Sequence, residues 1–298
     1  MTGFIEFARA HGVEIDPAKL DCTDKIRRCG TTEKPRSTNG SYCFNGRTGW
    51  VRNWAGDAET HVFGDHDDKP WTEEEKAAWR AQRDRQRAQQ EQSHERAARK
   101  AQELLRQAVP GTHDYLIRKG LRDAQGLVLP DGDLLVPMRS MSDNRAIQGV
   151  QRIHWNVEAL KWEKKMLPGM RATGAVLRLG PLFARETVFC EGYATGLSIE
   201  LAVRQMRLNA QVVVCFSAAN MVHVAEHTTQ GKRYVFADHD FPAKLTGQRA
   251  GHEAVRRMGL PHCMSPVEGE DANDVHVRAG LFSVAHLLMQ ARKGLTVP

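Results

Sequence analysis

No stretch of this sequence approaches the roughly 18 consecutive apolar residues that a membrane-spanning helix requires, so no such span is expected. Its start lacks the basic-then-apolar pattern of a secretory leader, so a cytoplasmic protein is expected. Cysteine is sparse and scattered, at Cys22, Cys29, Cys43, Cys190, Cys215 and Cys263, which excludes a disulfide framework. Cys190 and Cys215 fall inside apolar runs and are expected as buried thiols. No Walker phosphate-binding loop is present, so a helicase motor would have to come from another chain. What is present is a 41% hydrophobic share, enough for a real core, within 298 residues that can make two or three modules. The net charge of +6 is compatible with a nucleic-acid partner without demanding one.

The most informative stretch lies between Val188 and Asp240. Thr187-Val188-Phe189-Cys190 is a β-branched and aromatic run that ends in Glu191-Gly192, and the residues from Thr195 to Met206 read as a helix. Gln211 to Phe216 reads as a central strand, and Tyr234-Val235-Phe236-Ala237 as another, ending in Asp238-His239-Asp240. Each acidic group therefore follows a buried strand, where ligands of open parallel sheets collect. Carboxylates gathered there suit a hard divalent cation with oxygen ligands. The alternative is that Asp238 and Asp240 only cap a helix. A third acidic element, Gly269-Glu270-Asp271-Ala272-Asn273-Asp274, follows. His239 reads as a neighbour of the acids rather than as a ligand.

Upstream, residues 1–56 read as a small module: a helix stopped by Gly12, a basic stretch with Arg27, Arg28, Lys34 and Arg36, then strands carrying Tyr42, Phe44, Trp50 and Trp54. The last four are expected to form its core without metal, while the basic residues, helped by an exposed aromatic, meet a single strand. Residues 57–108 are a linker followed by a long basic helix. In the linker, His61, Asp65, His66, Asp67 and Asp68 read as a solvated loop. Thr72 and Glu75 read as a capping box that opens the helix. The helix, with Arg80, Arg83, Arg85 and Arg87, reads as a solvated connector that could also follow a nucleic-acid backbone. Residues 109–182 read as a short helix closed by Gly120, then strands, and 183–298 as the α/β domain described above.

Glu191-Gly192 after a strand, with Asp238-x-Asp240 after a later one, resembles the Toprim domain of DnaG-type primases, topoisomerases and some nucleases. Upstream, Tyr115-Leu116 with Lys119-Gly120, then Gly149-Val150-Gln151-Arg152, then Lys164-Lys165, resembles the domain that precedes Toprim in DnaG-type primases, closest in style to short plasmid and prophage proteins. Cys29 followed by Glu33-Lys34, and Tyr42-Cys43, resemble the zinc ribbon of that family. Thr32 and Gly46 stand where two ligands are expected, so zinc is not expected, unless Cys22 or His11 completes a site. The resemblance implies an α/β Toprim domain, a parallel sheet flanked by helices, preceded by a small mixed α+β domain, a long basic helix and a degenerate ribbon.

It also implies Glu191, Asp238, Asp240 and Asp274 as ligands of Mg²⁺ or Mn²⁺, with Glu191 either holding a second ion or acting as base. Arg152, Lys164, Lys165 and Lys119 would then hold nucleotide and template. The function implied is primer synthesis from ribonucleoside triphosphates on single-stranded DNA, beside a replicative helicase on another chain. A Toprim nuclease and a non-catalytic DNA-binding or helicase-recruiting module are the competing readings. No segment is large enough to house a topoisomerase tyrosine domain.

Overall fold

The computed structural model describes residues 2–56, 59–64, 72–242 and 249–294. The stretch Asp65–Asp68 and the side chain of Glu75 lie outside the described residues. The chain divides into two compact units, residues 1–79 with 242–248, and residues 80–241 with 249–298.

In the first unit, helix α1 (Thr2–Ala10) ends at Gly12, whose φ of 72° is in the left-handed region that glycine adopts without strain. Five antiparallel strands follow: β1 (Val13–Glu14), β2 (Arg27–Thr31), β3 (Gly40–Phe44), β4 (Gly49–Asn53) and β5 (Thr60–Phe63). Phe4 from α1 stacks on Phe44 with ring centroids 4.1 Å apart, and Tyr42, Val13, Ile15 and Val51 complete the core. The expectation that Trp50 and Trp54 share this core is corrected. Val51 points inward, so its neighbour Trp50 falls on the other side of the pleat, and both tryptophans remain half-exposed.

The register also separates the two ribbon cysteines. Cys29 lies opposite Gly40 on β3, so it shares a face with Tyr42, whereas Cys43 is on the opposite face. Burial pushes the Cys29 thiol up to about 11 and Cys43 up to about 12, away from the thiolate that zinc needs. These two sulfurs do not form one site.

The second unit contains most of helix α2 (Glu73–Gln107). Ala97 and Ala101 are buried, and Ala101 packs with Leu104 and Leu105 against Leu129, Leu135 and Val150, while most of the helix is exposed. Then come β6 (Val109–Gly111), α3 (Asp114–Arg118), β7 (Gly126–Val128), β8 (Leu134–Ser140), β9 (Ile147–Asn156), β10 (Lys161–Met166) and β11 (Ala175–Leu179). They continue into β12 (Glu186–Cys190), α4 (Tyr193–Gln205), β13 (Ala210–Val214), α5 (Ala218–His227), β14 (Lys232–Phe236), α6 (Ala250–Met258), β15 (His262–Cys263), α7 (Ala272–Ala279) and α8 (Leu281–Arg292).

One sheet runs through all of this, in the order β10-β9-β8-β11-β13-β12-β14-β15, with β7 beside β8 and β6 beside β7. The position 182/183, expected as a domain boundary, thus falls within a continuous sheet, because β11 pairs with both β8 and β13. Strands β12 to β15 are parallel, and every residue of β12 and β13 is buried, as strands covered on both faces require. Helices α4, α7 and α8 cover one face and α5 and α6 the other. From β12 the chain passes to β13 on one side, then crosses to β14 on the other side of β12. That reversal makes the carboxyl end of β12 a topological switch point, where two crossovers splay apart and leave a crevice.

Among the described residues, no helix is long and apolar enough to cross a membrane.

Candidate metal and nucleotide site

Glu191 is the first residue after β12, at the mouth of the switch point. The backbone N–H of Ala218, the first residue of α5, lies near enough to its carboxylate to favour the charged form. Phe216, just before that helix, holds a φ of 65° and donates its N–H to the Glu191 carbonyl at 2.9 Å. A bulky residue at positive φ is strained, and here the strain accompanies the tight turn that brings the start of α5 to Glu191. Asn220 fixes the same corner by donating to the carbonyls of Ala175 and Cys215, both at 2.8 Å.

Asp238 and Asp240 follow β14. Asp240 accepts the N–H of Gly251 at 2.9 Å and so caps α6, as the alternative sequence reading allowed. Asp238 differs: its Oδ1 is buried and has no hydrogen-bond partner. Gly251 makes the close approach possible, since a Cβ there would lie 2.2 Å from the Asp238 carbonyl oxygen.

The electrostatics tie these groups together. Burial, then the charges of Asp271, Glu191 and Asp240, push the Asp238 carboxyl up to about 8, and Lys164 works against them. Glu191 is also raised, by burial first and by Asp240 next, with Lys164 and the Ala218 N–H opposing. Carboxylates raised by burial and mutual repulsion gain when a cation arrives. The set fits a hard divalent ion on two observations, the partnerless Asp238 oxygen and the crowding of like charge. Among the described residues no three such groups converge into a ready-made ligand cage. Mg²⁺ commonly needs only one or two protein carboxylates, with water and substrate phosphates supplying the rest.

Other expected residues are arranged differently. Asp274 turns away from the acids, pairing with Lys119 at 3.3 Å and accepting the Asp271 N–H at 3.2 Å. It is Asp271 whose charge bears on Asp238. Asp271 caps α7 and accepts the Thr195 hydroxyl at 2.9 Å. An Asp-x-x-Asp pair before a helix offers two carboxylates, and sequence alone does not say which of them faces Asp238. Lys164 lies 5.7 Å from the centre of the Tyr115 ring and acts on both Glu191 and Asp238. Lys165, its neighbour on β10, points the other way and pairs with Glu163 at 2.6 Å. Arg152 is held by Asp131 and Asp133 at the turn before β8.

In the first unit, Arg27, Arg28 and Arg36 line a cavity of about 880 Å³ together with Asp16 and Asp21. Arg27 pairs with Asp21, and Arg28 and Arg52 both lie over the Trp54 ring, at 5.1 and 4.7 Å. Lys34 is exposed.

With this geometry in view, comparison with known proteins is informative for one part of the chain. Residues 186–281 match the family model of the Toprim domain. Toprim domains as a class bind divalent metal ions, in keeping with the carboxylates at the β12 and β14 ends. No curated protein sequence matches the chain. Among solved structures, it is similar to the zinc-binding and RNA polymerase domains of the Aquifex aeolicus primase, at 13% identity and a TM-score of 0.35. That match covers 63% of this chain and 44% of the other, so the chain spans less than half of that structure's length.

Proposed function

We propose that the protein is a primase, which makes short RNA primers on single-stranded DNA from ribonucleoside triphosphates with Mg²⁺ or Mn²⁺. The observation that carries this reading is the coupling of Glu191, Asp238 and Asp240 at the switch point with one cation, Lys164, set against them. Phosphoryl transfer asks a protein chiefly for positioning and charge neutralisation. Asp238 and Asp240 would hold the divalent ion, with Asp271 beside them. Bound there, the ion would neutralise triphosphate oxygens and the departing pyrophosphate.

The chain's own groups do the rest. Lys164 draws the triphosphate toward the acids. Glu191, its affinity for protons raised by burial, takes the proton of the attacking 3′-hydroxyl as the oxygen bonds to the α-phosphorus and pyrophosphate leaves. Asp240, tied to α6, keeps the loop after β14 in place. The basic side of the first unit, Arg27, Arg28, Lys34 and Arg36, holds the template strand, and a helicase on another chain supplies it.

The test is template-dependent incorporation of labelled ribonucleotides by the purified chain, with a labelled-strand cleavage assay beside it. Asp238→Ala is expected to abolish product. Lys164→Met is expected to lose at least about 10-fold, one charge-assisted contact to phosphate. Lys165→Met, whose ammonium is engaged by Glu163, stays within about 3-fold. Cleavage without incorporation would replace this reading with that of a nuclease.

A further inference from the structure

Helix α5 carries two histidines four residues apart, His223 and His227, so both project from one face. His223 is half-buried and His227 exposed. Their ring centres are 4.3 Å apart and the rings are tilted by 42°. The His227 Nδ1 lies 2.8 Å from the His223 carbonyl. A carbonyl can only accept, so Nδ1 carries the proton and Nε2 of the neutral ring carries the lone pair. Histidines that bind metals almost always donate their other ring N–H in this way. A metal about 2.1 Å from each nitrogen sits about 3.2 Å from each ring centre, so rings at adjacent corners of a square site have centres about 4.5 Å apart. The observed spacing is close to that value.

A third donor faces the same space. Met141, just after β8, donates its N–H to the Gly174 carbonyl at 2.8 Å, and Arg178 donates to the Met141 carbonyl at 2.6 Å. Gly174 in turn donates its N–H at 2.8 Å to Asn220, three residues before His223 on α5. A Cβ on Gly174 would stand 3.3 Å from the Met141 sulfur and 3.9 Å from the His223 Nε2. At a φ of 71° this position also disfavours any side chain. The glycine thus keeps open a gap bordered by a thioether and an imidazole nitrogen. Imidazoles suit late first-row transition ions, whose affinities peak at Cu²⁺, and a thioether as a long, weak further ligand is characteristic of copper. Mg²⁺ prefers oxygen ligands and does not suit this set.

We propose that His223, His227 and Met141 form a binding site for a late first-row transition ion, Cu²⁺ above all, on α5. The two Nε2 atoms would hold the ion, with the Met141 sulfur as its weaker ligand. Among the described residues no third histidine, cysteine or carboxylate joins the pair, so water fills the remaining places. The bound ion would clasp the segment after β8 to the helix whose first turn lies beside Glu191. The site is separate from the carboxylates of the switch point and does not depend on the reaction proposed for them.

The experiment labels the methionine methyls of the full chain with ¹³C and titrates in Cu²⁺ as its iminodiacetate complex, which leaves adjacent positions open for two imidazoles. Cu²⁺ is paramagnetic and broadens nearby signals. The Met141 signal, assigned from Met141→Leu, should broaden first among the ten methionines, and pulsed EPR should show nitrogen couplings from two imidazoles. His227→Ala, at an exposed position, should keep its melting temperature and weaken Cu²⁺ binding about 10-fold or more, the loss of one of two linked ligands. Excess Mg²⁺ should not compete, and Asp238→Asn should leave the Met141 broadening unchanged. Broadening that reaches Met141 no sooner than the other methionines, or that is the same in folded His227→Ala, would overturn the site. Loss of the broadening in Asp238→Asn or in excess Mg²⁺ would assign the ion to the carboxylates and overturn it as well.

Discussion

The partnerless carboxyl of Asp238 leads to a measurable pH dependence. Burial and three neighbouring acids raise it from the ordinary 3.8 to about 8 in the folded chain. The sign follows from linkage: a carboxyl raised on folding contributes stability that is fully present below the unfolded value, near 4, and lost as pH climbs through about 8. A shift of this size corresponds to an upper limit of about 6 kcal/mol at roughly 1.4 kcal/mol per pH unit. Water entering on ionisation should leave roughly half of that. For a unit of this size, such a loss lowers the melting temperature by roughly 5–10 °C.

Asp238→Asn cannot ionise, so the difference between wild type and variant cancels every other titrating group to first order. In EDTA the wild type should lose 5–10 °C relative to Asp238→Asn between pH 5 and pH 9. Adding Mg²⁺ at pH 8 should restore much of it in the wild type and do little for the variant, since the ion takes the place of the proton. A wild-type-minus-variant difference that stays constant across pH in EDTA would refute the placement of this carboxyl in a buried acidic cluster.

Two further outcomes follow, one from a glycine packed against the acids and one from an ion pair remote from them. Gly251→Ala puts a methyl 2.2 Å from the Asp238 carbonyl, so the loop after β14 must shift. The expected cost is about 1–3 kcal/mol in urea unfolding, together with loss of the Mg²⁺-dependent gain in melting temperature. Arg292 holds Glu186 through two hydrogen bonds of 2.7 and 2.8 Å, beside the Tyr234 hydroxyl, and tethers α8 to the start of β12. Arg292→Met should cost about 1–3 kcal/mol, since it leaves the carboxylate with the Tyr234 hydroxyl but without its charged partner. Arg292 lowers the Glu186 carboxyl, so this stability is present above the unfolded carboxylate value and disappears as pH falls through the lower folded one. The gap between wild type and variant in urea midpoint should therefore narrow below about pH 4, and a gap independent of pH would rule out the ion pair as its source.

Much of the α/β unit was legible because its signals are local. The unbroken apolar runs of β12, β13 and β14 declare strands buried on both faces, and a helical stretch between each pair declares the parallel crossover. Glu191 and Asp238 then stand at strand ends by simple counting. Tyr42 and Phe44 are in the N-terminal core as expected, but the tryptophans were misplaced because alternation along β4 leaves the phase open: either Trp50 or Val51 points inward. Only the packing of α1 decides it, since Phe4 fills the space over Phe44 and Val51 that a tryptophan would need.

The same limit explains which cations face the acids. Lys164 and Lys165 are chemically identical in sequence, and the pleat of β10 sends them to opposite faces, one toward Tyr115 and the acids, the other to Glu163. Arg152 illustrates a second cause, competition. Asp131 and Asp133 form the turn that starts β8, and β9 brings Arg152 alongside it, so the guanidinium is satisfied before any ligand arrives. For α7 the two causes combine. Asp271 and Asp274 share one capping box, Lys119 draws Asp274 outward, and that leaves Asp271, fixed by Thr195, as the acid that bears on Asp238. A basic or acidic residue belongs to such a site only when its phase points inward and no closer partner claims it. Lys164 sits by Tyr115 with its charge reaching Glu191 and Asp238, while Lys165, Arg152 and Asp274 are paired elsewhere in the fold.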